Sequence, residues 1–191
     1  MGDAVATDAA VETLSLAFFD DPVTSWVFED ASARLAQLRV WWAWMIDNRL
    51  AHVEVLDTPD GQSAAIWHGP DPAADDARNH AFFDMLAGLL GPELAAQKLG
   101  AMAVIPAAHP EERHWYLAAV GTRPEDQGKR SALRVVEPVL DRCDAVGLPA
   151  YLESSNPRNE SFYERLGFVA TGTITIPGGP TLTAMWRTAR Q

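Results

Sequence analysis

Apolar side chains recur at helical spacing near the start of the chain. Val11, Leu14, Ala17 and Phe18 fall on one face over 8–19, with Thr7 or Asp8 available as the N-cap and Asp20-Asp21-Pro22 as the stop. Residues 23–29 read as a short connection holding Trp26 and Phe28. A second helix is predicted over 31–50. Its apolar positions Leu35, Leu38, Trp41, Trp42, Met45 and Ile46 cover more than one face, as in a helix wedged between two neighbours. The pattern then switches to a period of two. HVEVLD (52–57) and QSAAIWH (62–68) read as strands joined by a Thr58-Pro59-Asp60-Gly61 turn, and Gly69-Pro70-Asp71-Pro72 closes the unit. Residues 77–105 return to helical spacing, apolar along Phe82, Phe83, Met85, Leu86, Leu89 and Leu90 and broken at Gly91-Pro92.

HWYLAAVG (114–121) is nearly all apolar, the pattern of a central strand buried on both faces. A loop over 122–126 leads to a helix over 127–146 that ends at Gly147. A short strand (149–153), a short helix (159–166, ending at Gly167) and two strands (168–176 and 182–187) joined through Pro177-Gly178-Gly179-Pro180 complete the chain. The order α, α, β, β, α, β, α, β, α, β, β predicts one α/β domain on a single mixed sheet, without internal repeats.

Composition narrows the function. The chain has 191 residues, 48% hydrophobic and 21% charged, enough apolar material for a real core. Its net charge of −11 repels phosphate backbones and anionic membranes, so neither a nucleic acid nor a membrane is an expected partner. The acidity reads as solubility or as a preference for cationic partners. The single cysteine, Cys143, excludes an internal disulfide and a cysteine-based zinc site. The five histidines, His52, His68, His80, His109 and His114, show no paired ligand spacing, so no metal is expected. With no basic-plus-apolar leader and no run of 18 apolar residues, the chain is expected to be soluble and cytoplasmic.

Two stretches could carry chemistry. In the first, the strand at 114–121 feeds Gln127-Gly128-Lys129-Arg130-Ser131-Ala132 at the start of a helix. A helix start offers unpaired N–H groups and partial positive charge, and small residues there let a diphosphate reach the backbone. An ordinary helix start has the same appearance. The second stretch is Asn156-Pro157-Arg158-Asn159-Glu160-Ser161-Phe162-Tyr163-Glu164-Arg165-Leu166-Gly167-Phe168. A tyrosine, with a reference pKa of ~10 against ~8.5 for a thiol, stays protonated and can donate to a leaving thiolate. Tyr163 could equally be a helix residue packed on the sheet.

Together, the segments VGTRPEDQGK, GLPAYLESSNPRN and FYERLGF resemble the GNAT acetyltransferase superfamily, and most of all its puromycin N-acetyltransferase group. The resemblance is dense over 113–187. It is weaker but traceable earlier, in LAFFDDPVTSWVF and AIWHGP. It implies a GNAT fold: a mixed, mostly antiparallel sheet flanked by helices, with a V-shaped split between the family's fourth and fifth strands. Residues 1–112 would form the acceptor-side half and 113–191 the cofactor-side half of one domain. Acetyl-CoA would lie in the split. Its pantetheine arm would meet the backbone of Leu117, Ala119 and Val120, and its diphosphate would meet Gln127, Gly128, Lys129, Arg130, Ser131 and Ala132. Asn156 and Asn159 match positions on the cofactor side. Tyr163 matches the tyrosine that protonates the coenzyme A thiolate, and Glu153 is positioned to relieve the acceptor amine of a proton. A solvated strand-end carboxylate is the other reading of Glu153. Trp26, Phe28 and Trp41 could line an aromatic acceptor pocket or pack the core. The implied activity is acetyl transfer to the primary amine of a small, aromatic or antibiotic-like molecule, in resistance or biosynthesis, by a monomer or homodimer.

Two positions depart from the family. Arg130 stands where the diphosphate loop carries glycine. The guanidinium could swing out and add a bond to a phosphate, or fill the site and abolish cofactor use. The second outcome would leave a GNAT-fold protein that binds or transforms a small molecule without acetyl-CoA. Only MGDAVATD precedes the first helix, so the family's first strand is a candidate for loss.

Overall fold

The computed structural model describes residues 2–48, 52–71 and 76–190. Its elements are α1 (Gly2–Ala17), α2 (Pro22–Val27), α3 (Ala31–Asp47), β1 (Val53–Asp57), β2 (Ser63–His68), α4 (Asp76–Leu90), α5 (Pro92–Met102), α6 (Val104–Ala107), β3 (Trp115–Thr122), α7 (Leu133–Val146), β4 (Ala150–Ser154), α8 (Glu160–Arg165), β5 (Val169–Thr175) and β6 (Thr181–Arg187). The six strands form one sheet in the order β1-β2-β3-β4-β6-β5. Every pairing is antiparallel except β3 with β4.

Local chemistry accounts for several boundaries. α1 begins at Gly2, so Thr7 and Asp8 lie inside it and are not caps. The described residues of MGDAVATD belong to α1, and β1 is the sheet edge. The stretch 23–29, expected as a connection, contains α2. Asp21 caps it, accepting from the N–H groups of Val23 and Thr24 at 2.9 and 3.2 Å, and Pro22 at the first position supplies a preset φ. Six residues are too few for periodicity to reveal. The predicted final turn of α3 at 49–50 and the closing Pro72 lie outside the described residues. α7 starts at Leu133 rather than 127, because Gly128 (φ 79°) and Arg130 (φ 63°) hold left-handed backbone that a helix cannot accept.

The sheet buries both faces. Trp67, Leu117, Val135, Val139, Leu140, Leu152 and Met185 form the core beneath α7 and α8. On the other face, Leu14, Phe28, Leu38, Ile46, Ile66 and Leu86 pack beneath α1, α3 and α4. A smaller cluster of Tyr151, Ile174 and Ala184 is covered by Val104 and Ile105 of α6. β3 was expected to be buried throughout. Instead its burial alternates, with Leu117, Ala119 and Gly121 buried and the residues between them only half-buried. The reason lies in how β3 meets its neighbours.

Candidate active site

β3 and β4 pair only at Trp115↔Ala150 and Tyr116↔Tyr151. Beyond these two positions the strands part, so the β4-side edge of β3 faces an opening from Leu117 onward. Its other edge remains paired with β2 to Thr122. β3 also carries a bulge: Trp67 pairs with Leu117 and the adjacent Ile66 with Ala119, leaving Ala118 as the extra residue. The bulge changes which face each side chain meets. Leu117 packs under α7, Ala119 joins the opposite core, and Val120 turns back toward the α7 side. Leu117 and Ala119 are 4% and 5% exposed, so what they offer the opening is backbone.

The opening leads to the 127–132 loop. The N–H groups of Gly128, Arg130, Ser131 and Ala132 meet no acceptor among the described residues. No side chain caps α7, and the N–H groups of Leu133 to Val136 already donate to the carbonyls of Arg130, Ser131 and Ala132, so the open donors are those of the loop leading into the helix. A run of unpaired donors leading into a 14-residue helix is the donor set a diphosphate requires. The buried Ser131 hydroxyl is tied to the sheet, with Ser63 bridging Ser131 (2.9 Å) and Thr122 (2.8 Å). Gln127 and Lys129 are exposed, and the Lys129 ammonium is 2.8 Å from Asp126. Arg134 pairs with Asp60 at 3.1 Å. Arg130 is exposed and has no acidic partner among the described residues. It is also the only described non-glycine residue with positive φ. The loop therefore keeps the backbone conformation of a glycine although an arginine stands there.

On the other side of the opening, Asn156 follows β4 and caps a 3₁₀ turn, its Oδ1 accepting from the Arg158 N–H at 3.1 Å. That oxygen is thereby occupied, leaving the side-chain amide group. Asn159 is exposed. Tyr163 on α8 is buried between Phe162 (5.3 Å) and Phe168 (6.2 Å). Burial pushes its hydroxyl pKa well up, and the negative charge of Asp21 adds to the rise. Asp21 accepts a short hydrogen bond from Ser155, which joins the α1–α2 corner to the end of β4. Its own carboxyl is raised by burial, against the hydrogen bonds from Ser155, Thr24 and Val23.

Glu153 lies two positions past the last β3–β4 pair, at the apex of the opening. Its side chain is 3% exposed, and Oε1 sits 3.5 Å from His109 Nδ1 without a hydrogen-bond partner. The buried Tyr151 hydroxyl, also unpartnered, lies beside the same carboxylate, as does Tyr116. Burial, then the Glu153 charge, holds both tyrosines protonated. His109 packs edge-on against Tyr116 and Tyr151, at 4.7 and 4.9 Å between ring centres. His114 stands on Tyr151 and Trp186. Among these residues the sequence had indicated only Glu153. Period-two alternation puts Tyr151 and Glu153 on one face of β4, a usable signal. Nothing in the sequence points to His109, which arrives from the loop after α6.

The aromatic acceptor pocket takes a different form. Phe28 is 1% exposed and belongs to the core, so it has no surface for a ligand. Trp41 is held between Phe28 (5.7 Å) and Phe82 (5.1 Å). The Trp26 indole donates to the Gly178 carbonyl at 2.7 Å, and the Lys98 ammonium lies 4.1 Å from its ring centre. Trp26 thus clasps the β5–β6 hairpin to α5. It also borders a surface concavity of about 560 Å³ with Glu29, Lys98 and Gly178. Among the described residues no group of three or more His, Cys, Asp or Glu side chains could hold a metal ion, and no helix is long and apolar enough to cross a membrane.

Comparison with known proteins agrees with this geometry. Residues 66–168 match the model of the acetyltransferase (GNAT) family. A fission-yeast (Schizosaccharomyces pombe) protein described as an uncharacterized N-acetyltransferase is 28% identical, the match covering 87% of this chain and 72% of that protein. A Corynebacterium glutamicum structure titled histone acetyltransferase HPA2 and related acetyltransferase superposes with a TM-score of 0.66 at 22% identity, covering 98% of this chain and 93% of the other. Arylalkylamine N-acetyltransferase 2 from Aedes aegypti superposes at 0.61 with 12% identity, covering 98% and 96%. These two likenesses concern the fold.

Proposed function

The chain belongs to the GNAT acetyltransferase family, and from that premise we propose that it acetylates the primary amine of a small molecule using acetyl-CoA, with Glu153 as proton acceptor and Tyr163 as proton donor. The observation that carries this reading is the parted β3–β4 edge, running from a buried, unpartnered carboxylate at its apex to the uncapped start of α7.

When bound, acetyl-CoA supplies the activated acyl thioester. The N–H groups of Gly128, Arg130, Ser131 and Ala132 would hold its diphosphate, with Gln127 and Lys129 at the rim. The free edge of β3 from Leu117 through Val120 would take the pantetheine arm in place of a strand. Asn156 and Asn159 border the same side. An N–H at or next to Val120 polarises the carbonyl under attack, because a fixed donor at developing negative charge costs no reorganisation. Glu153 takes a proton from the incoming ammonium, directly or through water, so that nitrogen attacks with a free lone pair. Tyr163 keeps its phenolic proton at any working pH. A thiolate leaving into equally dry surroundings is itself a strong base. The buried thiol of Cys143, pushed up to about 11 chiefly by burial, illustrates the size of that effect within the same molecule.

Arg130 bears on whether acetyl-CoA is used at all. Its retained left-handed backbone and unpaired, exposed guanidinium favour an additional phosphate contact over obstruction of the loop. Trp26 borders the acceptor side, and an acidic surface suits a cationic amine. Calorimetry with acetyl-CoA and coenzyme A tests the donor. Thiol release with a panel of aliphatic, aromatic and aminonucleoside amines, puromycin included, tests the acceptor. The reading requires saturable binding of acetyl-CoA and turnover that falls in Tyr163→Phe. No heat and no thermal shift with either nucleotide would overturn it in favour of a GNAT-fold protein that no longer uses acetyl-CoA.

A further inference from the structure

The buried carboxylate of Glu153 is one end of a line of ring nitrogens whose protons can be assigned. His114 Nδ1 makes a short contact with the Glu112 carbonyl. A carbonyl oxygen only accepts, so His114 Nδ1 carries a proton. Burial lowers the pKa of His114, which keeps that ring neutral at neutral pH and leaves its Nε2 bare. His109 Nε2 lies 2.9 Å from His114 Nε2. With His114 Nε2 bare, His109 must supply the hydrogen from its own Nε2. A neutral His109 is then bare at Nδ1, and Nδ1 is the atom 3.5 Å from Glu153 Oε1. Two lone pairs thus face each other across a gap that a single proton would bridge.

We propose that His109 relays the substrate's proton: the Glu153 carboxylate takes it from the ammonium, directly or through water, and hands it from Oε1 to His109 Nδ1, with the Glu112 carbonyl and His114 fixing the tautomer that keeps Nδ1 open. The proposal rests on the reading of Glu153 as the base. The balance is simple. The amine nitrogen loses H⁺ and keeps its electron pair, the carboxyl passes the proton on and returns to carboxylate, and the imidazole becomes imidazolium. The His109 side chain is 29% exposed against 3% for Glu153, so the proton leaves to water from His109. The other groups around this ring do not compete for it. Tyr116 and Tyr151 stay protonated, and His114 is held neutral. His68, beyond Tyr116, is lowered to about 4, first by burial and then by the charges of His52, Arg78 and His109. Glu112 faces His114 through its backbone. A carboxylate sealed from solvent would otherwise have to reset through the substrate channel.

Two measurements test this. The first needs no substrate. Long-range ¹H–¹⁵N spectra of the full chain above pH 8 should show His114 protonated at Nδ1 and His109 at Nε2. A proton on His109 Nδ1 under those conditions overturns the proposal. The second is kinetic, with acetyl-CoA and whichever panel amine is turned over best. His109→Gln should lower kcat by about 10- to 100-fold, in the range of general acid–base effects, with the amine KM unchanged. In His109→Ala, added imidazole should restore turnover saturably, which a purely structural histidine would not allow. Glu153→Gln should be the more damaging change. If Glu153→Gln is inactive while His109→Gln matches the parent, the relay falls and the base stands. If Glu153→Gln matches the parent, the assignment of the base falls and the relay with it.

Discussion

Arg130→Gly should move stability and cofactor affinity in opposite directions. An L-residue in left-handed backbone costs roughly 1–2 kcal/mol, and Arg130 holds that conformation at φ 63°. Glycine removes this cost but gives the unfolded chain more freedom, worth about 0.5–1 kcal/mol. The net gain is about 0.5–1 kcal/mol, or roughly +1 to +4 °C in Tm for a chain of this size. The same change deletes an exposed guanidinium beside the proposed diphosphate. An exposed charge pair is worth up to about 1 kcal/mol, so the acetyl-CoA Kd should rise about fivefold at low salt. The difference should shrink as salt screens the pair. Arg130→Ala separates the two effects, since it loses the charge but keeps the backbone cost. It should bind as weakly as the glycine variant without gaining stability. Thermal unfolding and calorimetry at two salt concentrations provide the readout. Tighter acetyl-CoA binding by Arg130→Gly would refute the argument and mark the arginine as an obstruction. A lower Tm would refute the account of the loop backbone.

Three further outcomes follow from the same structure. A Cβ at Gly121 would stand 2.6 Å from the Ala17 Cβ, so Gly121→Ala must lift α1 from β3; a loss of about 1–3 kcal/mol is expected in denaturant unfolding. Tyr163→Phe should lower kcat by at least about tenfold with acetyl-CoA affinity preserved, as expected when a proton donor and not a binding group is lost; an unchanged kcat would remove Tyr163 from the chemistry. His68 is neutral in the fold, lowered to about 4 against an ordinary value near 6.5, so unfolding takes up a proton between those pH values. Its contribution to stability is complete above about pH 6.5 and is lost as pH falls toward 4. His68→Gln should flatten that part of the stability–pH curve.

The C-terminal half was largely legible because its signals are local. Gly147 and Gly167 mark helix ends, and the loop spacing put Arg130 at a glycine position, where the structure shows left-handed backbone. The errors also have local causes. α2 depends on an Asp21 cap and a proline over six residues, which leaves no periodicity to read. The start of α7 was set too early because helical spacing continues through residues whose φ is positive. The role of Trp26 could not be read at all, since its partners, Gly178 and Lys98, lie far along the chain. The same holds for His109, which meets Glu153 only through the tertiary fold.

The Trp26 clasp bears on how the molecule is made. Its indole bonds a carbonyl 152 residues downstream, and Asp21 bonds Ser155 across 134 residues. The α1–α2 corner is synthesised well before the groups that seat it. At about 5–20 residues per second the corner would wait roughly 8–30 s for its partners. For the earlier part of that interval, until β2 (63–68) and β3 (115–122) have followed, the apolar faces of α1 and α3 lack the strands that cover them, and a nascent-chain chaperone has its longest opportunity to bind there.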